Sequence, residues 1–281
     1  MLVYESAKGM HDAAETARRH GQKLAFIPTM GALHEGHRSL FREARRRGDF
    51  RVVSLFVNPT QFNTPEDFEK YPRNLEADLA LCEGEGIDLV FHPTVAEIYP
   101  DGFKETPSLP RVAIPMEGEF RPSHFAGICS VVTRLFQIVQ PETALFGEKD
   151  FQQLRVIEEM VCERRIPVRI VRCPTVRNSN GFALSSRNAL LSAKGYEEAL
   201  AIPRAIRAVQ KNLNLDAAHQ QLEKLKVDYL TIADAETLQP VKRPDRPGRI
   251  FIAAWVEGVR LIDNQEFSLT ASRDTVSPTE K

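Results

Sequence analysis

Apolar positions in the first two-thirds of the chain follow two alternating patterns. Short runs are apolar on both faces: residues 23–28 (KLAFIP), 51–57 (RVVSLFV), 87–92 (IDLVFH), 144–147 (ALFG) and 168–173 (VRIVRC). Such runs predict strands of a parallel sheet covered by helices on both sides. Between them, apolar residues recur at three- and four-residue steps. Residues 40–47 and 75–85 predict helices. In HFAGICSVVTRLFQIVQP, Phe125, Ile128, Val132, Leu135, Phe136 and Val139 share one helical face, and Pro141 ends the helix. Residues 150–164 form another helix, with Leu154, Ile157 and Val161 in register. This alternation predicts an α/β fold with a Rossmann-like, doubly wound parallel sheet.

The pattern changes after Cys173. Residues 175–188 (TVRNSNGFALSSRN) are polar and contain Gly181, which predicts an exposed loop. A long helix follows, with Ile202, Ile206, Val209 and Leu213 on one face and Pro203 expected to kink it. Strands are predicted at 227–233, 250–256 and 259–262, with a turn-rich connection at 240–247. The reading is two domains, 1–176 and 177–281, the second a smaller α+β unit that carries the 184–187 loop as a lid.

Composition narrows the class. Of 281 residues, 42% are hydrophobic and 27% charged, as in an ordinary soluble globular protein. The formal net charge of -1 provides no global field for nucleic acid or a membrane surface. The run Arg45-Arg46-Arg47 reads as a solvated helix end. No apolar run approaches the roughly 20 residues of a membrane span, and the N-terminus lacks the pattern of a signal peptide. The four cysteines have no CxxC spacing and read as reduced core thiols of a cytoplasmic protein.

In an open parallel sheet, ligands sit beyond the carboxyl ends of the strands, and four polar groups fall at such ends. The first is PTMGALHEGH. Its Gly31 and Gly36 permit close backbone approach, a helix start favours phosphate, and His34 and His37 add imidazole donors. Two surface histidines at a helix start would also satisfy that spacing. The second is Asn58-Pro59-Thr60-Gln61, either a plain turn or a reader of a hydroxyl or carboxylate through Gln61. The third is Gly147-Glu148-Lys149-Asp150, with Lys149 suited to phosphate, Asp150 a helix cap or a ligand, and Gln153 one turn on. The fourth is Leu184-Ser185-Ser186-Arg187, whose hydroxyls and guanidinium match an anion or plain loop solvation.

Together these groups resemble a known family. HxGH followed by a Ser- and basic-rich loop is similar to the HIGH and KMSKS elements of the nucleotidylyltransferase superfamily. The closer resemblance is to the pantothenate synthetase (pantoate–β-alanine ligase) family. It is carried by PTMGALHEGH, FVNPTQF, YPR at Tyr71, RPSHFAG at Arg121, FGEKDFQQL, FALSSRN and RLIDN at Arg260, over essentially the whole chain. The resemblance implies ATP-dependent ligation. The carboxylate of (R)-pantoate attacks the α-phosphate of ATP, pyrophosphate leaves, and β-alanine then displaces AMP to give pantothenate, a coenzyme A precursor.

By position, the resemblance implies that Met30, Gly31, Ala32, Leu33, His34, Glu35, Gly36 and His37 hold ATP, with His37 a proton donor. Gly147, Glu148, Lys149, Asp150 and Val176 would complete the nucleotide site. Leu184, Ser185, Ser186 and Arg187 would close over the phosphates. Gln61 and Gln153 would grip pantoate, with Asn58, Arg121 and His124 nearby. His34, His37, Lys149, Ser185 and Arg187 would carry the chemistry. Magnesium and a homodimer are implied as well, with Asp150 and Asp78 conceivable magnesium neighbours and no ligand set assigned. Asn180 and Thr60 depart from the family pattern. An enzyme that stops at nucleotidyl transfer would share HxGH and the loop but not the two glutamines. A silent nucleotide-binding regulator would not need His34, His37, Lys149, Ser185 and Arg187 intact.

Overall fold

The computed structural model describes residues 1–101, 108–242 and 244–268. Arg243, in the turn-rich connection, and residues 269–281 of the expected second domain lie outside the described residues. Six strands form one parallel sheet: β1 (Leu2–Tyr4), β2 (Leu24–Thr29), β3 (Phe50–Leu55), β4 (Leu89–Phe91), β5 (Thr143–Gly147) and β6 (Arg169–Cys173). Their order is β1-β4-β3-β2-β5-β6. The expected doubly wound sheet is therefore present. The order reverses between β2 and β5, which marks the topological switch point. β2 pairs with β5 only at Ala25 and Phe26. Beyond that the two strands part, and Pro28, which lacks an N–H, falls in the parting stretch.

The helices of this unit are α1 (Ala7–Arg19), α2 (Glu35–Ala44), α3 (Pro65–Lys70), α4 (Leu75–Gly84), α5 (Val95–Ile98), α6 (Glu117–Phe120), α7 (His124–Val139) and α8 (Phe151–Glu163). α7 is buried on nearly every face, with only Ala126, Arg134, Gln137 and its caps outside the core class. The single apolar face expected from its spacing understates this. At roughly 1.5–3 kcal/mol per buried large apolar side chain, Phe125, Ile128, Leu135 and Phe136 make it a main support of the sheet.

The second unit contains α9 (Ala193–Ala199), α10 (Ala201–Asn212), α11 (His219–Leu222) and an antiparallel sheet of β7 (Lys226–Asp234), β8 (Gly248–Val256) and β9 (Val259–Phe267) in that order. Pro203 does not kink a helix interior. The helical stretch breaks at Leu200, so Pro203 lies in the first turn of α10, where its missing N–H costs nothing. β9 runs five residues past the expected end at Ile262, because its polar Asp263 and Asn264 are buried and bonded. The 175–188 segment is not simply an exposed loop. Phe182 and Ala183 are buried, and an isolated bridge joins Arg177 to Ala183. Three of the four cysteines are buried; Cys162 is exposed, contrary to a uniform core assignment.

Candidate active site

The first wall of the site follows β2. Gly31 and Ala32 both adopt left-handed backbone, with φ of 79° and 51°. The buried Asp78 of α4 holds this turn: Oδ2 accepts the Ala32 N–H at 2.9 Å and Oδ1 the Leu33 N–H at 2.7 Å. A Cβ on Gly31 would lie 2.8 Å from Asp78 Oδ2, so glycine is required there on two counts. With both carboxylate oxygens engaged by backbone, Asp78 is an anchor of the turn.

α2 then begins at Glu35, five residues before its apolar pattern starts, because histidines cap it. His34 Nδ1 accepts the Gly36 N–H at 3.1 Å, and His37 Nδ1 accepts the His34 N–H at 3.2 Å. An Nδ1 that accepts carries no proton, so in each neutral ring the proton is on Nε2. Burial pushes His34 down to about 4, aided by the Lys149 ammonium. Burial, then the neighbouring His34, pushes His37 down to about 3. Both rings are therefore neutral N–H donors at physiological pH.

The second wall follows β3. Asn58 Nδ2 donates to Gln61 Oε1 at 3.2 Å and to the Gly127 carbonyl at 3.1 Å. A Cβ on Gly127 would come within 2.4 Å of the Thr60 carbonyl oxygen, so only glycine lets α7 approach the Pro59–Gln61 turn this closely. The departure at Thr60 adds a bond, since its hydroxyl donates to Asn58 Oδ1 at 3.0 Å. Gln61 Nε2 donates to Met30 Sδ at 2.8 Å, which joins this wall to the first. Arg121 Nη2 and His124 Nδ1 both donate to the Gln61 carbonyl, at 3.1 and 2.8 Å.

The third wall follows β5. Asn264 of β9 donates to the Glu148 and Lys149 carbonyls at 2.9 and 2.8 Å, and Arg249 pairs with Glu148 at 3.0 Å. Lys149 Nζ is 3.5 Å from Asp150 Oδ1, and Asp150 makes no side-chain cap bond, which leaves its carboxylate available. The loop lies across the opening. Ser186 Oγ donates to the Ala32 carbonyl at 2.9 Å, Ser185 Oγ accepts the Arg187 N–H at 3.3 Å, and Arg187 pairs with Asp67 at 3.4 Å. The departing Asn180 lies outside, in an exposed turn closed by Asn178.

These walls enclose a cleft of about 990 Å3 at the switch point. It is lined by Met30, His34, Gly36, His37, Asn58, Gln61, Arg121, His124, Gly147, Lys149, Asp150, Gln153, Val176, Leu184, Ser185, Ser186 and Arg187. Gly31, Ala32, Leu33, Glu35 and Glu148 do not line it. The first three shape the turn, Glu35 pairs with Arg42 at the surface, and Glu148 is held by Arg249. Among the described residues, no group of three His, Cys, Asp or Glu side chains could hold a metal, and no helix is long and apolar enough to cross a membrane.

The family model described as pantoate-beta-alanine ligase matches residues 2–266. The chain belongs to that family. A pantothenate synthetase of Thermotoga neapolitana is 43% identical over 277 residues, covering 94% of this chain and 99% of the relative. The crystal structure of pantothenate synthetase from Thermus thermophilus superimposes with a TM-score of 0.88 at 40% identity, over 94% of this chain and 99% of that one. Pantoate-beta-alanine ligase from Francisella tularensis, solved in complex with beta-gamma ATP and beta-alanine, superimposes at 0.83 with 36% identity, over 94% and 97%.

Asp67, Glu117, Asp228 and Tyr229 also line the cleft of this member of the pantoate-beta-alanine ligase family, and Asp78 holds its first turn; none of these structural roles shows in the local sequence. Tyr71 and Arg260 stood inside quoted motifs without a role. A buried acid gives no local signal when its partner is over a hundred positions away, as Arg260 is from Glu117.

Proposed function

We propose that this chain joins pantoate and β-alanine to give pantothenate, through a pantoyl adenylate and with release of AMP and pyrophosphate. The carrying observation is convergence: the histidine-capped start of α2, the Lys149 turn and the Ser185-Ser186-Arg187 loop meet in one cleft, beside Gln61 and Gln153. The complex of the Francisella tularensis relative with beta-gamma ATP and beta-alanine supports ATP and β-alanine as ligands of this cleft.

In the first step a pantoate carboxylate oxygen bonds to the α-phosphorus of ATP, and the bond to the bridging β-phosphate oxygen breaks. Charge grows on pyrophosphate. His34 and His37 meet it with Nε2–H groups as hydrogen-bond donors. Lys149 and Arg187 supply fixed positive charge, and Ser185 and Ser186 supply hydroxyls. Gln61 and Gln153 orient the hydroxy acid, with Asn58 holding the Gln61 amide. In the second step the β-alanine nitrogen bonds to the acyl carbon, the C–O bond to phosphate breaks, and AMP leaves. Adenylation is needed because a free carboxylate is a poor acyl donor. Asp150, a half-buried carboxylate paired with Lys149, would suit magnesium carried in with the nucleotide, and the ion would there help neutralise the phosphates.

A cytoplasmic setting fits the free cysteines. A homodimer follows from the family resemblance, and light scattering tests it. The domain division near residue 176 is likewise proposed, and rests on the change from the parallel to the antiparallel sheet. The test of function is to follow pyrophosphate and AMP with ATP and magnesium, with and without the two acids. The proposal requires ATP–pyrophosphate exchange that depends on pantoate, and AMP release that needs β-alanine as well. Exchange independent of pantoate refutes it.

A further inference from the structure

Outside the phosphate-facing groups, the cleft holds a buried junction of charges with no part in the chemistry above. Glu117 opens α6 and is only 4% exposed. Its Oε1 accepts from Tyr229 Oη at 2.8 Å and Arg260 Nη2 at 2.7 Å; its Oε2 accepts from Arg260 Nη1 at 2.9 Å and Arg121 Nη1 at 3.4 Å. Arg260 continues to Asp228, Nε to Oδ2, at 2.7 Å. Two acids thus balance two arginines, and the junction is charge-neutral. Tyr229, Asp228 and Arg260 belong to the antiparallel sheet; Glu117 and Arg121 belong to the larger unit.

The junction leads to one place. Arg121 Nη1 approaches His124 Nε2 at 3.2 Å, while Arg121 Nη2 and His124 Nδ1 meet on the Gln61 carbonyl. The hydrogen bonds are mutually consistent: His124 donates from Nδ1 and accepts at Nε2, the neutral tautomer. Burial, with the Arg121 charge, pushes His124 down to about 4, which keeps that tautomer at physiological pH. Burial would raise the Glu117 carboxyl, but the Arg260 bonds and charge, with Arg121 and Tyr229, overcome it and hold it at about 2. Glu117 is therefore ionised and fixes the Arg121 guanidinium. By contrast, the nucleotide-facing turns are held by Asp78 and Asn264, neither of which contacts Glu117.

We propose that Glu117 is a positioning residue for the hydroxy-acid substrate: it ties the antiparallel sheet through Arg260 and Tyr229 to Arg121, and so fixes the backbone from which Gln61 reaches the cleft. The proposal rests on the function assigned above and extends it to a residue whose side-chain bonds all go to Arg121, Tyr229 and Arg260. It separates the two binding halves of the cleft, because the junction supports Gln61 and not the phosphate groups.

The test is steady-state kinetics of Glu117→Gln, Glu117→Asp and Tyr229→Phe beside the wild-type chain, with thermal melts to establish folding. Glu117→Gln removes the charge that orients Arg121. It should raise KM for pantoate about 10-fold, the scale of one poorly held charge-assisted hydrogen bond, while KM for ATP stays within about twofold. Glu117→Asp keeps the charge and should recover part of the loss. Tyr229→Phe keeps the ring and the ion pairs, and should move pantoate KM in the same direction by a smaller factor. It carries the test if Glu117→Gln does not fold. A merely structural junction would raise both KM values together; that result, or an unchanged pantoate KM in the folded variants, overturns the proposal. A wild-type chain without pantoate-dependent exchange overturns the function itself, and this inference with it.

Discussion

Asp78→Asn isolates the device that aims the capping histidines. Asparagine keeps one acceptor oxygen and turns an NH2 toward an N–H that Asp78 now accepts. One charge-assisted bond is lost, at roughly 1.5–3 kcal/mol. Release of Ala32 from its left-handed backbone returns on the order of 1 kcal/mol. The net loss of stability is then about 0.5–2 kcal/mol, within reach of a urea titration. The kinetic loss should be much larger. The Gly31-Ala32 turn sets where His34 begins α2, and a shift of about 1 Å in positioning groups can cost on the order of 100-fold in rate. Pyrophosphate exchange at saturating pantoate, measured over a range of ATP, should show kcat/KM for ATP down by about that factor. A folded Asp78→Asn chain with wild-type kcat/KM for ATP would refute the reasoning, whatever its stability.

Lys149→Ala and His37→Ala should each slow exchange by a factor of about 100 or more while both chains still fold, His37→Ala at the cost of its α2 cap, because each removes a donor from developing phosphate charge. Near-normal turnover in either variant removes that residue from the mechanism. Acid stability is set in part by His37 and His124, whose folded values lie below the ordinary histidine value of 6.5. The unfolded chain binds these protons first, so stability is full above pH 6.5 and falls as pH drops from there toward the folded values, by roughly 1.4 kcal/mol per pH unit for each ring. His34, more open to water, adds a smaller share in the same direction. Urea midpoints that stay flat from pH 6.5 to 5 would contradict neutral buried rings. Gly127→Ala should cost about 1–3 kcal/mol through overpacking against the Thr60 carbonyl and should raise pantoate KM, since the Gln61 turn must move; unchanged kinetics would show that the turn tolerates the shift.

Most of the larger sheet was legible because parallel strands buried on both faces are written as unbroken apolar runs. β1 was not, because its three residues form an edge strand with Leu2 and Val3 exposed. β9 was cut short because its second half is polar, and only its partners, Arg177 on Asp263 and Asn264 on the Lys149 turn, explain burial of those side chains. The helix start at His34-His37 was read from the glycine turn, but the apolar pattern of α2 begins only at Leu40, because histidine capping carries no Ser or Thr signal. Within the cleft, groups on one local turn could be read together. Asp78 with the glycine turn, and Glu117 with Arg260, could not, since each joins elements distant in sequence whose contact exists only in the fold.

Pantoate whose carboxylate carries heavy oxygen tests directly whether the acid is activated as an adenylate before the amine attacks. The carboxylate oxygen that bonds to the α-phosphorus stays with phosphate when the C–O bond breaks, so mass spectrometry should find one heavy oxygen in each AMP and one in each pantothenate. AMP without heavy oxygen, formed in step with pantothenate, would contradict the account.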